Sequence, residues 1–159
     1  MKVAVANDHR GIEAKEQIKA IVTELGHTCI DVGTNSDSPV DYPDMAYLAA
    51  KAVAEKKADR AILVCGTGIG MCIAANKVHG VRAALCCDAE TARGARQWND
   101  ANILVMSLRL TSENIAKEIL DAWFSSKPEK NKKDRLEMLK RIEKKYSKPY
   151  NRRTLDNLY

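Results

Sequence analysis

The chain has 159 residues, 45% of them hydrophobic and 30% charged, a size that encloses one core and leaves little for a second domain. The formal charge is +5, and the five cysteines are an odd number without the paired spacing of a disulfide framework or zinc site, so they read as reduced thiols. No apolar run approaches bilayer length, and Met1-Lys2-Val3-Ala4-Val5-Ala6 passes into Asn7-Asp8-His9-Arg10 too soon for a secretory signal, which excludes membrane classes and makes the cytoplasm the expected compartment.

Short apolar runs alternate with helical patterns along the chain. Strands are expected at Val3–Ala6, Thr28–Val32, Ala61–Val64, Ala83–Cys86 and Ile103–Met106. Between the first two, Ile18, Ile21, Val22 and Leu25 line one helical face that Gly26 ends. Pro43 sits where a second helix begins, running to about Lys56, and further helices are expected near Gly70–Asn76, Ala89–Trp98 and Ser112–Ser125. Five strands joined by helices predict an α/β fold with a parallel sheet covered on both faces. Cys86 and Cys87 then point to opposite faces of a strand.

The charge is unevenly placed. Residues 127–159 hold twelve Lys and Arg against five Asp and Glu, which leaves the remainder net negative. A basic tail is one signature of nucleic-acid binding. Here Lys132–Tyr146 mixes signs and sets Leu136, Leu139, Ile142 and Tyr146 at helical spacing, so an amphipathic helix docking on the body or on a partner is the preferred reading. Residues 1–147 form the expected domain, and 148–159 a C-terminal tail.

In open parallel sheets, chemistry gathers at the C-terminal ends of the strands. That rule brings Asn7-Asp8-His9-Arg10, Gly33-Thr34, Cys65-Gly66-Thr67-Gly68, Asp88 and Ser107-Leu108-Arg109 to one rim. The most informative stretch is Cys65-Gly66-Thr67-Gly68-Ile69-Gly70, a thiol delivered by a buried strand into a glycine-rich turn that opens a helix. Backbone N–H groups converge at such a turn and favour an anion, thiolate included. The spacing is not a dinucleotide fingerprint, which needs glycine where Met71 stands, nor a P-loop, which needs Gly-Lys where Met71-Cys72 stands. A cysteine phosphatase would need arginine at position 71. Cys65 therefore reads as a proton carrier beside oxyanion donors, or else as an ordinary buried strand-end thiol.

Asp8-His9, Asp41-Tyr42-Pro43, the Cys65–Gly70 loop leading to Ala74-Ala75-Asn76-Lys77, Gly80-Val81-Arg82-Ala83-Ala84-Leu85 and Asn99-Asp100-Ala101-Asn102-Ile103-Leu104 resemble the type B ribose-5-phosphate isomerase family. That group also includes galactose-6-phosphate and allose-6-phosphate isomerases. The resemblance covers most of residues 1–125. It implies a three-layer α/β/α Rossmann-like domain with a five-stranded parallel sheet ordered 2-1-3-5-4. It also implies a homodimer or tetramer with sites at the subunit interface, no metal, and no cofactor. The implied reaction is aldose–ketose isomerisation of a phosphorylated sugar through a cis-enediolate. Cys65 would be the base, with Thr67 and the amides of Gly66, Gly68, Ile69 and Gly70 stabilising the enediolate. Asp8, Tyr42 and Asn99 would contact sugar hydroxyls, and His9, Arg109 and Arg135 the phosphate.

Two positions depart from the family pattern. Where its ribose enzymes usually place a ring-opening histidine, this chain has Trp98, whose indole is a donor with no acceptor; ring opening would fall to Asp8 or His9, to water, or to spontaneous opening. Where the family usually has Gly-Gly-Arg-His-x-x-Arg, this chain has Glu129-Lys130-Asn131-Lys132-Lys133-Asp134-Arg135. Lys132, Lys133 and Arg10 are the candidates to replace the missing arginine. The expected substrates are ribose 5-phosphate and ribulose 5-phosphate. Alternatives are a hexose 6-phosphate, a tetrose 4-phosphate, or a retired enzyme that binds a phosphosugar or nucleic acid.

Overall fold

The computed structural model describes residues 1–146, so the 148–159 tail and the end of the expected domain at 147 lie outside the described residues. Strands β1 (Lys2–Asn7), β2 (Thr28–Asp31), β3 (Arg60–Cys65), β4 (Ala83–Leu85) and β5 (Ile103–Ser107) pair in parallel in the order β2-β1-β3-β5-β4. They alternate with helices α1 (Ile12–Glu24), α2 (Tyr42–Ala54), α3 (Ile69–Ala75), α4 (Ala89–Asn99) and α5 (Glu113–Ser125). A 3-10 turn at Lys130–Lys132 then leads into α6 (Lys133–Tyr146).

Strand side chains alternate between two cores because successive residues face opposite sides of a sheet. Val3, Val5, Ile62, Val64, Leu104 and Met106 pack against α1, α4 and α5. Ala4, Ala6, Leu63, Cys65, Ile103 and Val105 pack against α2 and α3. The second face is rich in alanine, with Ala46, Ala49 and Ala50 wholly buried, so α2 lies close on the sheet. On the first face Trp123 is wholly buried and flanked by the guanidinium groups of Arg60 and Arg96.

The elements follow the periodicity, with shifts of a residue or two at the ends. Val32 and Cys86 each donate one further ladder hydrogen bond, to Val5 and Val105, but the chain turns away before a second forms. Gly26 closes α1 in the left-handed conformation (φ +78°), where a side chain would be strained.

The segment between β2 and α2 is fastened from below. Lys15 of α1 is wholly buried, and its ammonium donates to the Asp31 carboxylate (3.0 Å), the Thr34 carbonyl (2.8 Å) and the Asn35 side-chain oxygen (2.5 Å). At the other end of the molecule α6 has no buried residue and meets the body where Glu143 accepts the Gly80 N–H at 2.7 Å. Leu139, Ile142 and Tyr146 remain exposed. Among the described residues no helix is long and apolar enough to cross a membrane.

Candidate active site

Register brings the ends of β1, β3 and β5 side by side, Asn7 opposite Val64 and Cys65 opposite Ser107. The turn after Cys65 is stitched to the end of β5. The Cys65 carbonyl accepts the Leu108 N–H (3.0 Å), while the Gly66 carbonyl accepts the Arg109 N–H (3.2 Å) and the Ser107 hydroxyl (3.1 Å). Sequence reasoning gives Ser107 no task beyond ending its strand. The signal for one is its register opposite Cys65, which needs the strand order to be known first.

Cys65 is buried, and its Sγ accepts the N–H of Gly68 at 3.2 Å. Gly68 has φ +76°, and a Cβ there would collide with Leu85 and stand 3.2 Å from the Met106 carbonyl oxygen. Thr67 projects into solvent, with its Oγ1 accepting the Ile69 N–H at 3.4 Å. Of the four amides implied as enediolate donors, those of Gly68 and Ile69 are thus directed at Cys65 and Thr67. Because α3 has only seven residues, the positive field here comes from its first unpaired N–H groups rather than from a long aligned dipole.

Tyr42 opens α2 and lays its ring on Gly70, where a Cβ would come within 2.5 Å of Cε2. Asp8 is buried, and its carboxylate accepts the Arg10 N–H at 3.0 Å. The Arg10 guanidinium lies beside the loop, 3.9 Å from where a Cβ on Gly66 would stand. His9 is half-buried, and its Nδ1 accepts the N–H of Val40 at 3.4 Å. Asp8, His9, Tyr42, Cys65–Gly70 and Arg109 therefore share one rim.

Asn99 and Arg135 do not join them in the same chain. Helix α4 starts beyond the C-terminal end of β4 and returns about 16 Å to where β5 begins, so Asn99, its last residue, sits at the opposite edge of the sheet. The turn leading to Arg135 is anchored nearby, with the Glu129 N–H donating to the Gln97 carbonyl at 2.9 Å. Asn99 lines a groove of about 730 Å³ between α6 and the β4 edge, together with Lys77, Arg82, Leu139 and Tyr146.

A model of the family described as Ribose/Galactose Isomerase matches residues 3–139. The chain belongs to the ribose/galactose isomerase family. Over 145 residues the isomerase is 41% identical to ribose-5-phosphate isomerase B of Escherichia coli strain K12, spanning 91% of this chain and 97% of that protein. It is 40% identical over 128 residues to D-erythrulose-4-phosphate isomerase of Pectobacterium atrosepticum, 79% of this chain and 84% of the relative. Its fold matches that of Clostridium thermocellum ribose-5-phosphate isomerase B with a TM-score of 0.89 at 40% identity, covering 92% of this chain and 100% of the other.

Burial favours the neutral thiol at three other cysteines of the isomerase. Desolvation raises Cys29 and Cys72 and pushes Cys86 up to about 12. Among the described residues no three His, Cys, Asp or Glu side chains gather as a metal site. Trp98 is about half exposed, and its ring lies over Gly94 one turn earlier on α4, where a Cβ would come within 2.8 Å of the indole.

Proposed function

We propose that the chain interconverts ribose 5-phosphate and ribulose 5-phosphate through a cis-enediolate, with Cys65 as the base. The observation that carries this reading is the Cys65 sulfur held at the rim by the Gly68 N–H. An N–H donated to sulfur stabilises a thiolate more than a thiol. The thiolate takes the C2 proton of the open-chain aldose, and the electron pair moves into the C1–C2 bond, leaving negative charge on O1. Sulfur then returns the proton to C1 while the O2 proton passes to O1, so C1 is reduced and C2 oxidised with no outside electron acceptor. Thr67, Gly66 and Gly70 face the developing oxyanion; Asp8 and Tyr42 hold hydroxyls; His9, Arg109 and Arg10 take the phosphate, for which a guanidinium fork is suited. The cytoplasm is the compartment this chemistry implies, in keeping with five free thiols. The test is ketose formation from ribose 5-phosphate by the full chain, and a wild type inactive on ribose 5-phosphate would sink the reading.

We assign Asn99 and Arg135 to the site of a second copy, as the family resemblance implies. Their distance from Cys65 and the unburied Leu139, Ile142 and Tyr146 on α6 support a shared interface. Mixing Cys65→Ala with Arg135→Ala chains checks this. In a two-fold dimer half the mixed molecules pair unlike chains and carry one intact site, restoring about a quarter of wild-type turnover. No recovery above the separate variants would place Arg135 outside the site.

Trp98 favours a second reading, a tetrose 4-phosphate. Its indole cannot relay the proton that opens a furanose. A tetrose 4-phosphate has its O4 esterified, cannot close that ring, and needs no such relay. The Pectobacterium relative's name, D-erythrulose-4-phosphate isomerase, shows that this chemistry occurs in a protein 40% identical to this one.

A further inference from the structure

Lys15 has the one wholly buried ammonium among the described residues, and all its acceptors lie on the chain leaving β2. An ammonium has three donors and no acceptor, and here Asp31, Thr34 and Asn35 take all three. Moving this segment would leave a desolvated N–H without a partner, so its position is tightly fixed. Five residues beyond Asn35 the same segment presents the Val40 N–H to Nδ1 of His9, and two further on it delivers Tyr42 to Gly70. A histidine nitrogen that accepts a hydrogen bond carries no proton, whereas both nitrogens of an imidazolium are donors.

We propose that Lys15 is a positioning residue for His9: by pinning residues 31–35 it holds the Val40 N–H against Nδ1, so that His9 meets its ligand as a neutral Nε2–H donor. The part that concerns the ligand rests on the isomerase reading above. The link from Lys15 to the His9 tautomer does not.

The experiment is nitrogen-15 NMR of the histidine side chains in the full-length protein, with His9 assigned by its loss in His9→Asn. The wild type should show the Nε2–H pattern at His9. Lys15→Met should move His9 toward a mixture of tautomers, and Asn35→Ala, which leaves Lys15 paired with Asp31, should shift it the same way by less. In parallel both variants should raise KM for ribose 5-phosphate, Lys15→Met by about fivefold or more, with kcat within about twofold, as expected for lost ground-state positioning. Where Lys15→Met does not fold, Asn35→Ala decides. An Nδ1–H pattern in the wild type, or a wild-type pattern in the folded variants, overturns the link. A changed tautomer with unchanged KM overturns the role of His9 toward the ligand alone. A wild type without isomerase activity leaves the spectra to test the link by themselves, which separates failure of the inference from failure of the proposed function.

Discussion

The N–H of Gly68 donates to the sulfur of Cys65 across 3.2 Å, and the backbone that makes this possible is one that a side chain would strain. With φ at +76° and Leu85 and the Met106 carbonyl against its Cα, Gly68 has neither the conformation nor the room for a Cβ. The hydrogen bond to the thiol and the requirement for glycine are therefore one feature of the turn.

Gly68→Ala should cost about 1–2 kcal/mol from the left-handed conformation alone, with the collision against Leu85 added. The variant should melt lower and turn over more slowly, because relieving the clash moves the N–H off the sulfur. A variant with wild-type Tm and wild-type kcat would show that the turn is not fixed in this way.

Cys65→Ala should leave the fold and substrate binding in place and lower kcat by about 10²–10⁴, the share that general acid–base catalysis supplies. Turnover above about a tenth of wild type would remove Cys65 from the role of base. Binding measured by calorimetry with ribose 5-phosphate separates lost chemistry from lost affinity.

Acid stability should depend on Asp31. Burial acts to raise its carboxyl, but hydrogen bonds from Lys15 and Lys19 and from the Gly33 N–H outweigh that and hold it below the usual carboxylate value. The folded state thus binds fewer protons than the unfolded chain. Its stabilisation is fully present above the unfolded value of about 4 and is lost as pH falls through the folded value. Denaturant titration should show Asp31→Asn less stable than wild type at pH 7, with the gap narrowing as pH drops below about 4. A gap independent of pH would contradict this assignment.

The alternation of apolar runs and helical patterns locates all five strands and their helices, because β1, β3 and β5 are buried on both faces and read as continuous apolar runs; the edge strands β2 and β4 hold no buried residue, and β2, Thr28-Cys29-Ile30-Asp31, is only half apolar. The strand order rests on the family resemblance, since crossover connections alone allow several orders. The separation of Asn99 from Cys65 was deducible, because a helix returning between parallel strands must end at the edge where the next strand begins. Lys15 was legible only in part. On a helical wheel it falls beside Ile18 and Val22 on the buried face, but the acceptors that make its burial possible lie 16 to 20 residues away and do not show in the pattern. The same holds for Ser107, whose bond to Gly66 spans 41 residues.

Alkylation of the native protein should sort the five thiols. Burial pushes Cys86 up to about 12, so at pH 8 on the order of one molecule in ten thousand carries its thiolate. Peptide mapping after brief iodoacetamide treatment should find Cys86 unmodified, and all five cysteines modified once the chain is denatured. If Cys65 is the base, its modification should parallel loss of activity and substrate should protect it. Rapid native labelling of Cys86 would show that its strand end opens to solvent.

Trp98 separates a shape effect from a missing chemical step. Its ring occupies the space above Gly94, so Trp98→His removes a half-exposed wall and introduces a side chain that can both accept and donate a proton. If the chain lacks a ring-opening group, the substitution should raise turnover of ribose 5-phosphate, which must open, and leave that of erythrose 4-phosphate, which cannot close, nearly unchanged. If the indole only shapes the site, both substrates should slow together, because a histidine without prepared neighbours lacks the orientation that proton transfer needs. The ratio of the two turnover numbers in variant and parent distinguishes these outcomes independently of how much protein folds. A ratio that does not move would assign Trp98 to packing and leave ring opening to Asp8, His9 or water.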